Sequence, residues 1–416
     1  VQGSPAADRP VQRDGAAGFY RQLMLRVGER GVTALGVFVN SVLIARTLEN
    51  QEAAAYFLVV SVCQLVIAPW IASADFVWIR YHADGLAPAQ ATRRVALPVA
   101  WGSLLSTLVT IAACAPFVSG AGSWVILLTC ASGSLVFGTI SLLFASKFGE
   151  PSRYVGVSVV GGGAAVLLKL AALILTDHEK WTYVVLFCEN YLIAALALLM
   201  RPKLPGLPKL PPLRELLTPF AAPAFLVISS VFSLRFALLA TSQVLDEADY
   251  VTFGLTFQIL NAVSVLSVAV SHSVAAALLT QGDRRAALAN AVRRGFAAAA
   301  ALFACYAGFM LLAGRPVLEF LLQARGPAVH ELVIDGLAYS ACLLVQGVSS
   351  ALASVIDAIR AYAWALLAST VLAVAVLAFA PGADLGGRVI GWSVASLVAG
   401  VCVSAWLLRR AASRPG

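Results

Sequence analysis

From Leu23 to Leu408 the sequence is a series of long apolar runs separated by short polar ones. Twelve of the runs approach the roughly 20 residues that a helix needs to cross about 30 Å of hydrocarbon. The first six are Leu23–Arg46, Ala53–Trp78, Val95–Phe117, Trp124–Ala145, Tyr154–Thr176 and Trp181–Met200. The second six are Leu216–Leu245, Tyr250–Thr280, Gly295–Ala313, Leu332–Val355, Tyr362–Ala380 and Val389–Leu408. Lipid offers unpaired backbone groups no partner, and no closed barrel uses strands this long, so every run is expected to be a helix. Between the two sets lies RPKLPGLPKLPPLRE, Arg201 to Glu215, whose prolines remove backbone donors and exclude a span.

The pattern predicts an all-α polytopic membrane protein of twelve transmembrane helices, arranged as two six-helix bundles. The expected domains are an unstructured arm (1–18), an N-terminal bundle (19–200), a proline-rich linker (201–215), a C-terminal bundle (216–408) and a basic tail (409–416). Six spans is an even number, so both bundles start on the same side and any repeat is parallel, about an axis along the membrane normal. The turn between spans one and two carries Leu48, Glu52, Tyr56 and Gln64; that between seven and eight carries Val244, Asp246, Glu247, Tyr250 and Gln258. The tyrosine-to-glutamine spacing is the same in both.

Composition agrees: 60% of residues are hydrophobic, 12% are charged, and mean hydropathy is +0.87. The net charge of +8 comes from short clusters between apolar runs, which fits a membrane surface and excludes a nucleic-acid face. With the N-terminus placed in the cytoplasm, 21 of the 29 Lys and Arg residues fall on that side, five face outward and three lie within spans. Both termini are therefore expected to be cytoplasmic. The longest external loop, Gly314 to Glu331, has an apolar core, Val317 to Leu322, too short to span and expected to lie along the outer interface. The seven cysteines all sit in apolar runs without CxxC spacing, so they are read as small apolar residues rather than disulfides or metal ligands.

No HExxH, GxSxG, Walker loop or paired-carboxylate loop is present, so the sequence offers no enzyme active site and no cofactor or metal motif. Gly161 to Gly163 lie inside a span, where they serve close helix packing. The chemistry available is that of polar groups inside spans, each of which needs a partner or a wet cavity. Glu29, Thr33, Gly36 and Asn40 share one face of span one, with Arg30 beside Glu29. Lys169, Glu189 and Arg235 lie deeper; Asp75 and Asp335 sit nearer the ends of their spans; Gln64, Gln258, Asn261, Asn190 and Gln346 can join helices or line a polar path. His272 in span eight is expected to be a packing residue.

The stretch LIARTLENQEAAAYFLVVSVCQLV (Leu43 to Val66), followed by DFVWIRYHADG (Asp75 to Gly85), resembles the opening of Wzx-like polysaccharide flippases of the multidrug, oligosaccharidyl-lipid and polysaccharide exporter superfamily. The matching residues are Ala45, Arg46 and Leu48 at the end of span one, Glu52 and Tyr56 in the turn, and Arg80 and Tyr81 closing span two. Where that family usually has glycine beside the tyrosine, this chain has Ala53, Ala54 and Ala55.

The resemblance implies two bundles about a central cavity that opens alternately to each side of a bacterial inner membrane. The implied substrate is an oligosaccharide on undecaprenyl pyrophosphate, with membrane lipid and other polysaccharide-assembly membrane proteins as partners. The candidates for its anionic head are Arg30, Arg46, Lys169 and Arg235, and for its sugar hydroxyls Asn40, Gln64, Gln258 and Asn261. A cation-coupled multidrug exporter of the same superfamily stays open; in it Asp75 or Glu189 would hold the coupling ion. A membrane polysaccharide polymerase or ligase is disfavoured by the lack of a large external loop.

Overall fold

The computed structural model describes residues 31–32, 35–83, 85–140, 151–175, 179–199, 212–280, 284–355, 358–380 and 384–413. Arg30, the expected N-terminal arm and most of the expected linker lie outside them, as do the side chains of Asp75, Glu189 and Asn190.

The described chain is helical throughout. The N-terminal half consists of α1 (Leu35–Thr47), α2 (Asn50–Ala83), α3 (Pro88–Cys114), α4 (Ala121–Ile140), α5 (Pro151–Leu175) and α6 (Glu179–Leu199). The C-terminal half opens with a short helix, Leu213–Leu217, and a 3-10 turn that run into α7 (Ala221–Thr241). It continues through α8 (Glu247–Thr280), α9 (Arg284–Phe309), two short helices α10 (Arg315–Leu322) and α11 (Gly326–Asp335), then α12 (Leu337–Val355), α13 (Ile359–Phe379) and α14 (Leu385–Ser413). Seven helical stretches are long and apolar enough to cross a membrane, and four shorter apolar helices accompany them. Leaving α10 and α11 aside, the expected six-plus-six order stands. The basic residues Arg409 and Arg410, expected in a tail, continue α14 as helix.

The two halves repeat one packing pattern. In the first, α2, α3 and α4 pack on one another, α4 packs on α6, and α6 on α5. In the second, α8, α9 and α12 pack mutually, α12 packs on α14, and α14 on α13. The helices that follow the two tyrosine-bearing turns, α2 and α8, are both 34 residues long. Their tyrosines, Tyr56 and Tyr250, are both buried. The glycine run behaves as a packing device: a Cβ on Gly162 of α5 would come within 3.0 Å of Val32.

The halves meet chiefly through α2 against α7, with α2 also crossing α8. At that crossing Phe57 lies on Gly254, where a Cβ would sit 2.5 Å from its ring, so only glycine permits the approach. Around it a single apolar cluster joins Leu48, Tyr56 and Phe57 of one half to Tyr250, Phe253, Leu318, Leu322 and Val329 of the other. The α10 end of the molecule is therefore closed by a core shared between halves.

The expected external loop, Gly314 to Glu331, is built from the two short helices α10 and α11. A π turn (Met310–Gly314) releases backbone groups, and His330 of α11 hydrogen-bonds with the Met310 carbonyl there at 3.3 Å. Gln323, with φ of 53°, turns the corner between α10 and α11. Leu318 and Leu322 are buried while Phe320 is exposed. In α2, Pro69 supplies no donor to the helix, and Ser106 of α3 donates to the nearby Val66 carbonyl at 3.1 Å.

Candidate functional site

Between the halves lies a cavity of about 430 Å³. One face of α2 forms its long wall: Tyr56, Val60, Cys63, Gln64, Ile67, Ala68, Ile71 and Ala72 recur at the three- and four-residue spacing of a helix stripe. Thr129, Cys130, Gly133 and Ser134 of α4 form a second wall by the same spacing. Asn40 of α1 and Leu186 of α6 complete the N-terminal side; Val231, Leu234 and Arg235 of α7 are the C-terminal contribution.

The cavity is polar at one pole and apolar at the other. Tyr56 is six residues into α2 and Arg235 six residues before the end of α7, so both lie about 9 Å from their helix ends at the closed α10 pole. Asn40 donates through Nδ2 to the Tyr56 hydroxyl, while its Oδ1 is buried and finds no partner among the described residues. Toward the opposite pole the described α2 lining residues are Ile67, Ala68, Ile71 and Ala72. Beyond it, the Arg94 guanidinium lies 5.6 Å over the Tyr81 ring. Burial pushes the Tyr81 phenol above its ordinary value, against the opposing effects of Arg94 and Arg80.

Arg235 is the one charged side chain among the described lining residues. Its guanidinium carbon lies 5.9 Å from the Phe257 ring centroid. Phe257 in turn packs with Tyr339 and Trp392, whose own centroids are 4.1 Å apart. Among the described residues, Arg235 is thus backed by an aromatic shelf. Its Nη1 is buried with no acceptor among the described residues. Arginine cannot shed its charge to ease this, so the site holds a cation whose donor capacity is only partly used.

Of the residues nominated from sequence, the structure brings Asn40, Gln64 and Arg235 together on the cavity wall. It sets four others apart. Lys169 is 2% exposed, packed in α5 with Nζ donating to the Gly36 carbonyl of α1 at 3.5 Å. Gln258 and Asn261 are buried in α8, and Asn261 Oδ1 accepts from the Tyr339 hydroxyl at 3.4 Å. Arg46 lies at the α10 pole, donating through Nε to the Leu321 carbonyl at 2.9 Å and through Nη2 to that of Phe320 at 2.8 Å. Arg30 and the side chains of Asp75 and Glu189 lie outside the described residues.

Sequence reasoning missed Tyr56 as a lining residue, although it stands two helical turns before Gln64 on the same stripe. It also missed the α4 wall, where Cys63 of α2 donates to the Cys130 carbonyl at 3.4 Å. Thr129 and Ser134 carried no signal stronger than that of any hydroxyl in an apolar helix. All seven cysteines are free thiols, and no group of three His, Cys, Asp or Glu among the described residues could hold a metal.

The described residues thus form two pseudo-repeated helical lobes with a cavity between them. No family model and no curated protein matches the sequence. Among solved structures, the chain is similar to a multidrug resistance MATE family transporter of the MOP superfamily in an inward-facing conformation, with TM-score 0.70 and 13% identity over 94% of this chain and 98% of that one. It is similar to the lipid II flippase MurJ in an inward closed conformation, with TM-score 0.66 and 14% identity over 95% of this chain and 88% of that one. A third neighbour is a MOP superfamily transporter from Pyrococcus furiosus, described as having a binding pocket of reverse polarity that suggests a different function; its TM-score is 0.61, with 13% identity over 95% of each chain. The chain thus shares the all-helical, twelve-helix, two-lobe fold of these neighbours. These neighbours are described as transporters and a flippase.

Proposed function

We propose that the protein flips a lipid-linked oligosaccharide with an anionic pyrophosphate head from the inner to the outer leaflet of a bacterial inner membrane by alternating access, both termini being cytoplasmic. Arg235 carries this reading. It is a half-buried cation at the polar pole of the cavity, backed by aromatic rings, with a buried Nη1 that finds no acceptor among the described residues. An unsatisfied charged donor in such a place is costly, and an entering anion would remove that cost. Asn40, Tyr56, Gln64, Thr129 and Ser134 supply donors and acceptors suited to sugar hydroxyls. The apolar stretch from Ile67 to Ala72 suits the first part of a lipid chain. The fold does not choose the substrate: it serves a multidrug transporter and a lipid II flippase alike, and one neighbour is singled out for its pocket's polarity. Pocket charge is therefore the discriminating feature, and a cationic drug would meet Arg235 with like charge.

The test is in cells. Arg235→Ala should abolish surface polysaccharide while the protein stays in the membrane, and Arg235→Lys should restore part of it, because charge returns without the planar fork. Normal surface glycan in Arg235→Ala, with loss only in Glu189→Gln, would transfer the assignment to ion-coupled export of a cationic substrate.

A further inference from the structure

Arg46 belongs to the motif that ends the first span, yet it does not face the cavity. Its two donors reach the carbonyls of Phe320 and Leu321, the last turn of α10, more than 270 residues away in the other half. The contact is returned. Arg325, just beyond α10, donates through Nη1 to the Ala45 carbonyl in the last turn of α1 at 3.4 Å, and through Nη2 to Asn50 Oδ1 at the start of α2. Each arginine therefore caps the C-terminus of the helix that carries or adjoins the other. The final carbonyls of a helix have no intrahelical donor and carry the negative end of its dipole, so a guanidinium is well matched to them. Two parallel donors per arginine fix both distance and direction, which a lysine cannot do.

From this reciprocity we propose that Arg46 and Arg325 form a latch between the lobes that holds the α10 pole of the transport path shut and is released when that pole opens. The latch sits above the apolar seam of Leu48, Tyr250, Leu318 and Leu322. That seam is greasy and holds without directional preference, whereas the four arginine bonds exist in one relative placement of the lobes only. Separating α1 from α10 by a few ångströms breaks all four at once and returns their groups to water. Such a contact stabilises the closed state while costing little when opened, the property a reversible gate needs. It acts whatever the cargo, so it stands apart from the assignment of Arg235.

The chain carries its own reporters. Cys63 and Cys130 line the cavity, whereas Cys114, 1% exposed, lies behind them in the same apolar cluster and does not reach the cavity wall. Spheroplasts and inside-out vesicles are treated with a charged, membrane-impermeant methanethiosulfonate, and modification at each cysteine is read by peptide mass spectrometry. Arg46→Ala and Arg325→Ala should each raise Cys63 and Cys130 labelling from one membrane face about five- to tenfold and lower it from the other, with Cys114 protected. Arg315→Ala, which removes only the exposed partner of Glu319 on α10, should leave labelling as in the parent chain. If the alanine variants also expose Cys114, Arg46→Lys and Arg325→Lys carry the test, with a smaller shift in the same direction expected. Unchanged labelling from both faces in the variants that keep Cys114 protected would overturn the latch, as would an equal rise from both faces.

Discussion

Arginine sits between the lobes in two places, and the two are satisfied to different degrees. At the α10 pole, Arg46 and Arg325 spend their donors on helix-terminal carbonyls of the opposite half. In the cavity, Arg235 has an aromatic shelf behind it and a buried Nη1 with no acceptor among the described residues. The same side chain therefore marks a completed contact in one place and an incomplete one in the other. Physical cost explains the difference: a guanidinium matched by carbonyls is at rest, while an unmatched one is retained against a stability penalty. Such a penalty is the usual sign of a group kept for a ligand.

The largest effect expected from breaking this contrast is at Arg235. Arg235→Ala should weaken binding of a pyrophosphate-headed polyprenol by roughly 10- to 150-fold, the equivalent of about 1.5–3 kcal/mol for a charge-assisted hydrogen bond. Microscale binding to protein in nanodiscs measures it directly. A second break is mechanical. Gly254→Val places a side chain against Phe57 at the lobe crossing and should destabilise the protein by about 1–3 kcal/mol, read as a lower melting temperature. A smaller effect is expected at Asn40. Asn40→Ala removes the Tyr56 contact and one neutral cavity group, which should cost about 1 kcal/mol of glycan-dependent affinity and leave the affinity for a bare pyrophosphate head unchanged. The smallest concerns Lys169: Lys169→Met keeps the stem packed in α5 and should leave pyrophosphate affinity within twofold of the parent, since the ammonium faces Gly36 rather than the cavity.

The architecture was legible because the bilayer leaves few choices. Twelve apolar runs of spanning length, split by a proline-rich stretch, permit little besides two six-helix bundles, and the matched spacing from Tyr56 to Gln64 and Tyr250 to Gln258 foretold the shared plan of α2 and α8. The site was legible only in part. A helix that faces lipid on one side and core on the other is apolar all round, so the sequence does not reveal how each span is rotated. Arg235, Asn40 and Gln64 were found because each is polar enough to demand a wet or partnered position. Lys169 met the same criterion but was satisfied locally, buried against α1. Gln258 shows the limit of the repeat: it corresponds to Gln64, yet α8 buries it while α2 turns Gln64 to the cavity. Arg46 was the hardest to place, because its partners lie on α10, in a segment whose path no local pattern gives.

Under the proposed function, Arg235, whose Nη1 finds no acceptor among the described residues, receives the anionic head of the substrate. Native mass spectrometry of the intact protein with undecaprenyl pyrophosphate, compared with undecaprenol of the same chain length, tests it most directly. A bound pyrophosphate lipid that survives in the parent chain and in Arg46→Ala but is lost in Arg235→Ala, with undecaprenol weak throughout, is the expected result. Equal retention of the two lipids, or pyrophosphate binding unchanged by Arg235→Ala, would contradict it.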